Sequence, residues 1–166
     1  GMARTFQIPR PFPKLTVLEN VKVGALFGAA DPGTKSAEER AMEMLEFVEF
    51  SQPPNTPAEN LNAVQLKRLD LARAMACQPK LLLLDELASG LTPGELETIM
   101  DLIRRIRDTG ITIIAVEHIM RLIKGICDEV MVIQYGTPIA LGTPDEVLGN
   151  SKVIEAYLGK EDITHA

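Results

Sequence analysis

The sequence predicts an α/β fold built on a parallel sheet, and three observations predict it. Short apolar segments recur at LLLLD (81–85), ITIIAV (111–116) and EVMVIQ (129–134), the last two rich in β-branched residues. Segments with helical start chemistry lie between them. The apolar residues run continuously instead of alternating with polar ones, the pattern of strands covered on both faces.

The elements follow in order. Residues 3–7 form a short strand that runs into QIPRPFPK, where Pro9, Pro11 and Pro13 prevent regular structure. Five pairs then show capping-box spacing: Thr16 with Glu19, Ser36 with Glu39, Asn62 with Gln65, Thr92 with Glu95 and Thr143 with Glu146. Pro93 and Pro144 stand at first helical positions. These signals place helices near 16–28, 36–50, 62–77, 93–109, 118–125, 144–149 and 151–158. YGTPIALG (135–142) reads as a tight turn and one more short strand. The segment 16–77 has no convincing strand, so a helical subdomain of about 14–77 is set against an α/β core of about 1–13 and 78–166. Its Pro-rich stretch SQPPNTPAEN (51–60) is a loop.

Composition excludes several classes. At 166 residues the chain fits one domain with a sizeable core. A net charge of −6 argues against a nucleic-acid footprint, and the absence of tryptophan against a base-stacking platform. Arg104, Arg105 and Arg107 are interleaved with Ile103 and Ile106, as on the solvated face of an amphipathic helix. The longest apolar runs fall far short of a membrane span, and no signal peptide opens the sequence. Cys77 and Cys127 lack metal-site spacing and read as reduced, buried cysteines of a cytosolic protein.

Ligands of an open parallel sheet collect outside the carboxyl ends of its strands. The strand at 81–85 ends in Asp85 and Glu86, and the strand at 111–116 ends in Glu117 and His118. A right-handed crossover through helix 93–109 brings both ends to one rim. An acid there can hold Mg²⁺, a second can orient or deprotonate water, and a histidine can steady phosphate charge. Taken alone, Asp85 reads as the start of a turn and His118 as a helix cap. Their coincidence on one rim favours a site.

The stretch LKRLDLARAMACQPKLLLLDELASGLTPGE, followed by TIIAVEHIM, resembles the ATP-binding subunit of ABC transporters. LLLLDE is similar to its Walker B strand, SGLTP to its D-loop, AVEH to its switch-histidine strand, and ARTFQIPRPFPKLTVLENV to its Q-loop segment. The closing GTPIALGTPDEVLGNSKVIEAYLG resembles the branched-chain amino-acid subfamily of LivG type. The resemblance implies a truncated P-loop NTPase sheet with an α-helical signature subdomain, corresponding to the C-terminal part of a family member. It implies a cytoplasmic subunit, peripheral on the inner face of the membrane, that uses ATP and Mg²⁺ to drive import. Asp85 would hold the metal, Glu86 would polarise the attacking water and His118 would contact the γ-phosphate. Gln7 would link metal and water to the membrane partner. Ser89 and Gly90, with Asn62, Ala63, Val64 and Gln65, would face nucleotide across a dimer of ATPase subunits. The segment from Ile8 to Phe27 would meet the transmembrane permease subunits.

Three departures from the family pattern stand out. No GxxxxGK[ST] occurs, and the only Gly-Lys pair, Gly159–Lys160, lacks its flanking residues. The signature LSGGQ reads LNAVQ, so Ala63 and Val64 replace glycines whose amides would approach a phosphate. Leu87 replaces a proline after the acid pair, which is expected to loosen the following turn. The resemblance also places a further family strand beside 111–116. Without it that strand has a free edge, which invites pairing with 129–134 or with another chain. The chain alone is expected to bind nucleotide weakly or not at all. The alternative is a non-catalytic interaction module that docks on transporter subunits.

Overall fold

The computed structural model describes residues 1–28 and 34–158; Gly159 and Lys160 lie outside the described residues. Two compact units are present, residues 1–117 and 118–166.

The first unit holds a parallel sheet in the order β1–β2–β3, made of Met2–Arg4, Leu81–Asp85 and Thr112–Val116. Register pairs Ala3 with Leu82, Leu82 with Ile113 and Asp85 with Val116, which aligns the carboxyl ends of β2 and β3. Leu82 and Leu84 are buried and point to one side of the pleat, where each contributes about 1.5–3 kcal/mol. The opposite face is not covered among the described residues: Met2, Ile114 and Val116 are exposed. The sequence predicted cover on both faces, so this is a correction; leucine at every position of β2 gives the same pattern whichever face is wet.

Helices α1 (Val17–Phe27), α2 (Ala37–Phe47) and α3 (Ala63–Ala76) pack against one another. Thr16, Ser36 and Asn62 cap them with complete capping boxes, as their spacing predicted. Gly24 lets α1 approach α3, because a Cβ there would meet the Arg73 carbonyl oxygen at 2.4 Å. Buried Asn20 accepts from Phe12 N–H at 2.8 Å and donates to the Phe12 carbonyl at 3.1 Å, anchoring the Pro-rich segment on α1. Helix α4 (Pro93–Asp108) buries Leu96, Ile99, Met100, Ile103 and Ile106, a stripe at helical spacing. Its arginines lie on the solvated side, where Arg104 meets Asp101 and Arg105 meets Glu49.

The second unit contains α5 (Met120–Ile126), β4 (Val130–Gln134), β5 (Thr137–Gly142), α6 (Pro144–Leu148) and α7 (Ser151–Leu158). Here the parallel expectation for 129–134 fails. β4 pairs antiparallel with β5 as a separate hairpin. Tyr135 and Gly136 supply the positive φ angles of a two-residue turn, and that local closure wins over distant pairing. The expected pairing of 111–116 with 129–134 is therefore not formed, and β3 has only β2 as a strand partner among the described residues. Cys77 and Cys127 form no disulfide and are only part-buried, a further correction. Burial still pushes the Cys77 thiol up.

Candidate functional site

The site is assembled at the carboxyl rim of β2. Asp85 ends the strand in register with Val116, and Glu86 donates its backbone N–H to the Val116 carbonyl at 2.9 Å. The chain then turns sharply, with Glu86 at φ 43°, a left-handed conformation that costs a non-glycine residue about 1–3 kcal/mol. Gly90 closes the turn at φ 73°.

Beyond β1, the chain lies beside this rim. Thr5 is fully buried and donates its N–H to the Leu83 carbonyl at 2.9 Å, extending the strand pairing. Gln7 Nε2 donates to Glu86 Oε2 at 2.6 Å. Arg4 Nη2 donates to Asp85 Oδ2 at 3.0 Å. Both acids are therefore engaged by residues that follow or belong to β1, a strand some eighty positions away in sequence.

Glu117 closes the third side. Its Oε1 accepts from Ala88 N–H at 2.9 Å, while its buried Oε2 has no hydrogen-bond partner. Buried Lys67 of α3 donates from Nζ to the carbonyls of Leu87 at 2.7 Å and Ser89 at 2.6 Å. Burial pushes the Lys67 ammonium down, and the carboxylates of Glu117 and Glu86 partly offset that. These contacts hold the turn where the family's proline would fix it. Leu87 itself is buried, 3% exposed. The loosening expected from Leu87 is thus countered by polar ties and packing.

The remaining predicted residues are distributed as follows. Asn62 caps α3 by accepting from Gln65 N–H at 2.9 Å, and Gln65 Oε1 accepts from Asn62 N–H at 3.0 Å. Ala63 and Val64 form the first turn of α3. Ser89 and Gly90 lie in the turn after the acid pair. His118 is the first residue of the second unit and is exposed. Along the segment proposed to meet a partner, Ile8, Phe12, Leu26 and Phe27 are exposed, Phe27 to 84%.

Among the described residues no three His, Cys, Asp or Glu side chains converge on one point as metal ligands. A Mg²⁺ ion would find a single carboxylate here, that of Asp85, whose Oδ2 accepts from Arg4, and would need water or phosphate oxygens to complete its shell. Arg4 and Lys67 are the residues that sequence reasoning missed here. No motif marks them; only β1–β2 pairing and the fold of α3 bring them to the rim.

A family model described as "ABC transporter" matches residues 1–89, and one described as "Branched-chain amino acid ATP-binding cassette transporter" matches residues 137–163. The high-affinity branched-chain amino acid transport ATP-binding protein LivG of Salmonella typhimurium is 39% identical over 174 residues, spanning 96% of this chain and 68% of LivG. The chain belongs to the ABC transporter ATP-binding family. BraF of Pseudomonas aeruginosa, named for the same transport, is 37% identical with the same coverage. Among solved structures of ABC cassettes, MJ1267 in its ADP conformation superposes with a TM-score of 0.81 at 30% identity, over 96% of this chain and 69% of that one. MJ0796, whose structure is dimeric and bound to ADP and Pi, gives 0.75 at 26% identity, over 86% and 62%. The fold is that of an ABC ATPase cassette, and no described helix is long and apolar enough to cross a membrane.

Proposed function

We propose that this ABC cassette chain carries the metal-holding and water-activating side of an ATP site in an importer for branched-chain amino acids. The observation that carries the reading is the Gln7–Glu86 hydrogen bond at 2.6 Å, which joins the two motif-bearing segments at the strand rim. Asp85 holds Mg²⁺; the bound ion offsets phosphate charge. Glu86 accepts a proton from the water that attacks the terminal phosphate, and Gln7 orients the Glu86 carboxylate. His118 contacts the γ-phosphate. Asn62, Ala63, Val64 and Gln65, with Ser89 and Gly90, face nucleotide held by a second ATPase subunit. The exposed apolar side chains of Ile8, Phe12, Leu26 and Phe27 dock on transmembrane permease subunits, which keeps the chain peripheral on the inner face of the membrane.

Phosphate grip is the element this sequence does not contain, since no GxxxxGK[ST] is present. That observation favours a second reading, a docking module without catalysis of its own. The two share the membrane contact, so one experiment tests both. Vesicles carrying branched-chain amino-acid permease subunits are expected to retain the chain, and Phe12→Ala or Ile8→Asp to weaken retention at least tenfold. Equal sedimentation with empty vesicles would overturn both. Calorimetric titration with ATP and Mg²⁺ separates them from a self-sufficient ATPase: weak binding is expected, and saturation at micromolar ATP would contradict it.

A further inference from the structure

We propose that Lys67 is a positioning residue for Glu86, acting from α3 through the backbone of the turn at 86–90. It rests on the reading above only for what Glu86 does chemically.

The geometry is specific. A lysine ammonium is rarely buried, and Lys67 is 7% exposed. It is not paired with a carboxylate through a short salt bridge. Its Nζ instead donates to two main-chain carbonyls, those of Leu87 and Ser89, that flank Ala88. From the other side Glu117 accepts the Ala88 N–H. Two peptide groups after Glu86, those joining 87 to 88 and 89 to 90, are thereby fixed by two side chains, one from α3 and one from the end of β3. Hydrogen bonds to ionised groups are the stronger kind.

The strained residue lies immediately upstream. Glu86 adopts φ 43°, which persists only where its surroundings over-determine it. With Leu87 in place of proline, no ring restricts the backbone after Glu86. Lys67 supplies the restriction from outside the turn. Releasing the two carbonyls lets residues 86–89 relax toward ordinary φ, which withdraws the Glu86 carboxylate from Gln7.

The same helix holds the other partner. Asp70, one turn along α3, accepts the Phe6 N–H at 3.0 Å, and Arg73 donates to the Arg10 carbonyl at 3.1 Å. Positions 67, 70 and 73 lie on one side of α3. That side therefore sets both Glu86 and the segment bearing Gln7, and its first turn is the altered signature at Asn62–Gln65.

The test uses this chain as it stands, with no nucleotide, so its failure is distinct from failure of the ATPase reading. Two signals are followed by NMR: the side-chain amide pair of Gln7 and the hydrogen-exchange rate of the Ala88 amide. Lys67→Met is expected to move the Gln7 pair toward its free position and to speed Ala88 exchange about tenfold or more. Lys67→Arg, which keeps charge and several donors, is expected to restore both. A folded Lys67→Met chain with lowered Tm but both signals unchanged would overturn the proposal. Should methionine prevent folding, Lys67→Leu, which likewise removes every donor, is read in the same way. In the unsubstituted chain the Lys67 ammonium protons are expected to exchange slowly; a freely exchanging ammonium also overturns it.

Discussion

Gln7 Nε2 lies 2.6 Å from Glu86 Oε2 and donates to it, although 79 positions separate the two residues. The bond exists because β1 and β2 run parallel and side by side, so the segments beyond their carboxyl ends emerge together. It is a solvent-facing contact, which fits a role in orienting the carboxylate better than one in stability. Gln7→Ala is expected to cost under about 1 kcal/mol, within a few degrees of Tm. The Glu86 carboxyl ¹³C resonance is expected to shift. A larger loss of stability with no shift at Glu86 would show the bond to be structural.

The altered signature predicts a rate that can be raised. Asn62→Ser, Ala63→Gly and Val64→Gly together, in a longer family chain that carries GxxxxGK[ST], are expected to increase ATP hydrolysis. The glycines free backbone amides at the first turn of α3 and remove the Val64 side chain from it. They also weaken the helix, by about 0.5–1 kcal/mol for each glycine. A steady-state rate that stays the same, with the expected drop in Tm, would count against the reading of Asn62–Gln65 as a nucleotide-facing element.

Four capping boxes predict how the chain responds to acid. Glu19 and Glu39 are held below their ordinary value of 4.5 by the backbone N–H groups, then the hydroxyls, of Thr16 and Ser36. For Glu95 and Glu146 the hydroxyls of Thr92 and Thr143 come first. Each is lower in the folded chain than in the unfolded one, so its contribution is complete above 4.5 and is lost as pH falls through the folded value. Burial shifts Asp70 the other way. Its contribution is present when protonated and is lost as pH rises through its raised folded value, opposing the caps. Thermal melts across pH 3–7 are expected to show falling Tm on the acid side. Glu95→Gln, which keeps an acceptor, is expected to shallow that fall; an unchanged slope would remove Glu95 from the account.

The covered side of the sheet predicts the largest loss. Leu84 is 2% exposed and stands one residue before Asp85. Leu84→Ala is expected to cost about 2–5 kcal/mol, read as a lower denaturant midpoint at unchanged slope. Leu83, its neighbour on the uncovered face, is expected to tolerate alanine better. Equal losses at 83 and 84 would mean that the face read as open is covered in solution.

Much of this protein was determined by its sequence alone. Capping spacing located five helix starts because a hydroxyl or amide at the N-cap and an acid or amide three positions on are a local arrangement. The strand cores at 81–85 and 112–116 were legible from apolar runs ending in acids, and the acids marked the rim. Tertiary structure decided the rest. Whether a leucine run is covered on one face or two depends on what packs above it, and β2 reads the same either way. Residues 130–134 are apolar enough for a parallel sheet, yet they close a hairpin through Tyr135–Gly136 because the nearer partner costs less chain entropy. Gln7 and Glu86 were each singled out from sequence, but their hydrogen bond comes from strand register. Arg4 and Lys67 carry no signal in sequence, since a lone arginine in a short strand and a lysine in a helix are ordinary surface residues. Only the packing of α3 against the turn after Glu86 buries Lys67 and turns its ammonium onto two carbonyls, because burial leaves a charge no water to bind.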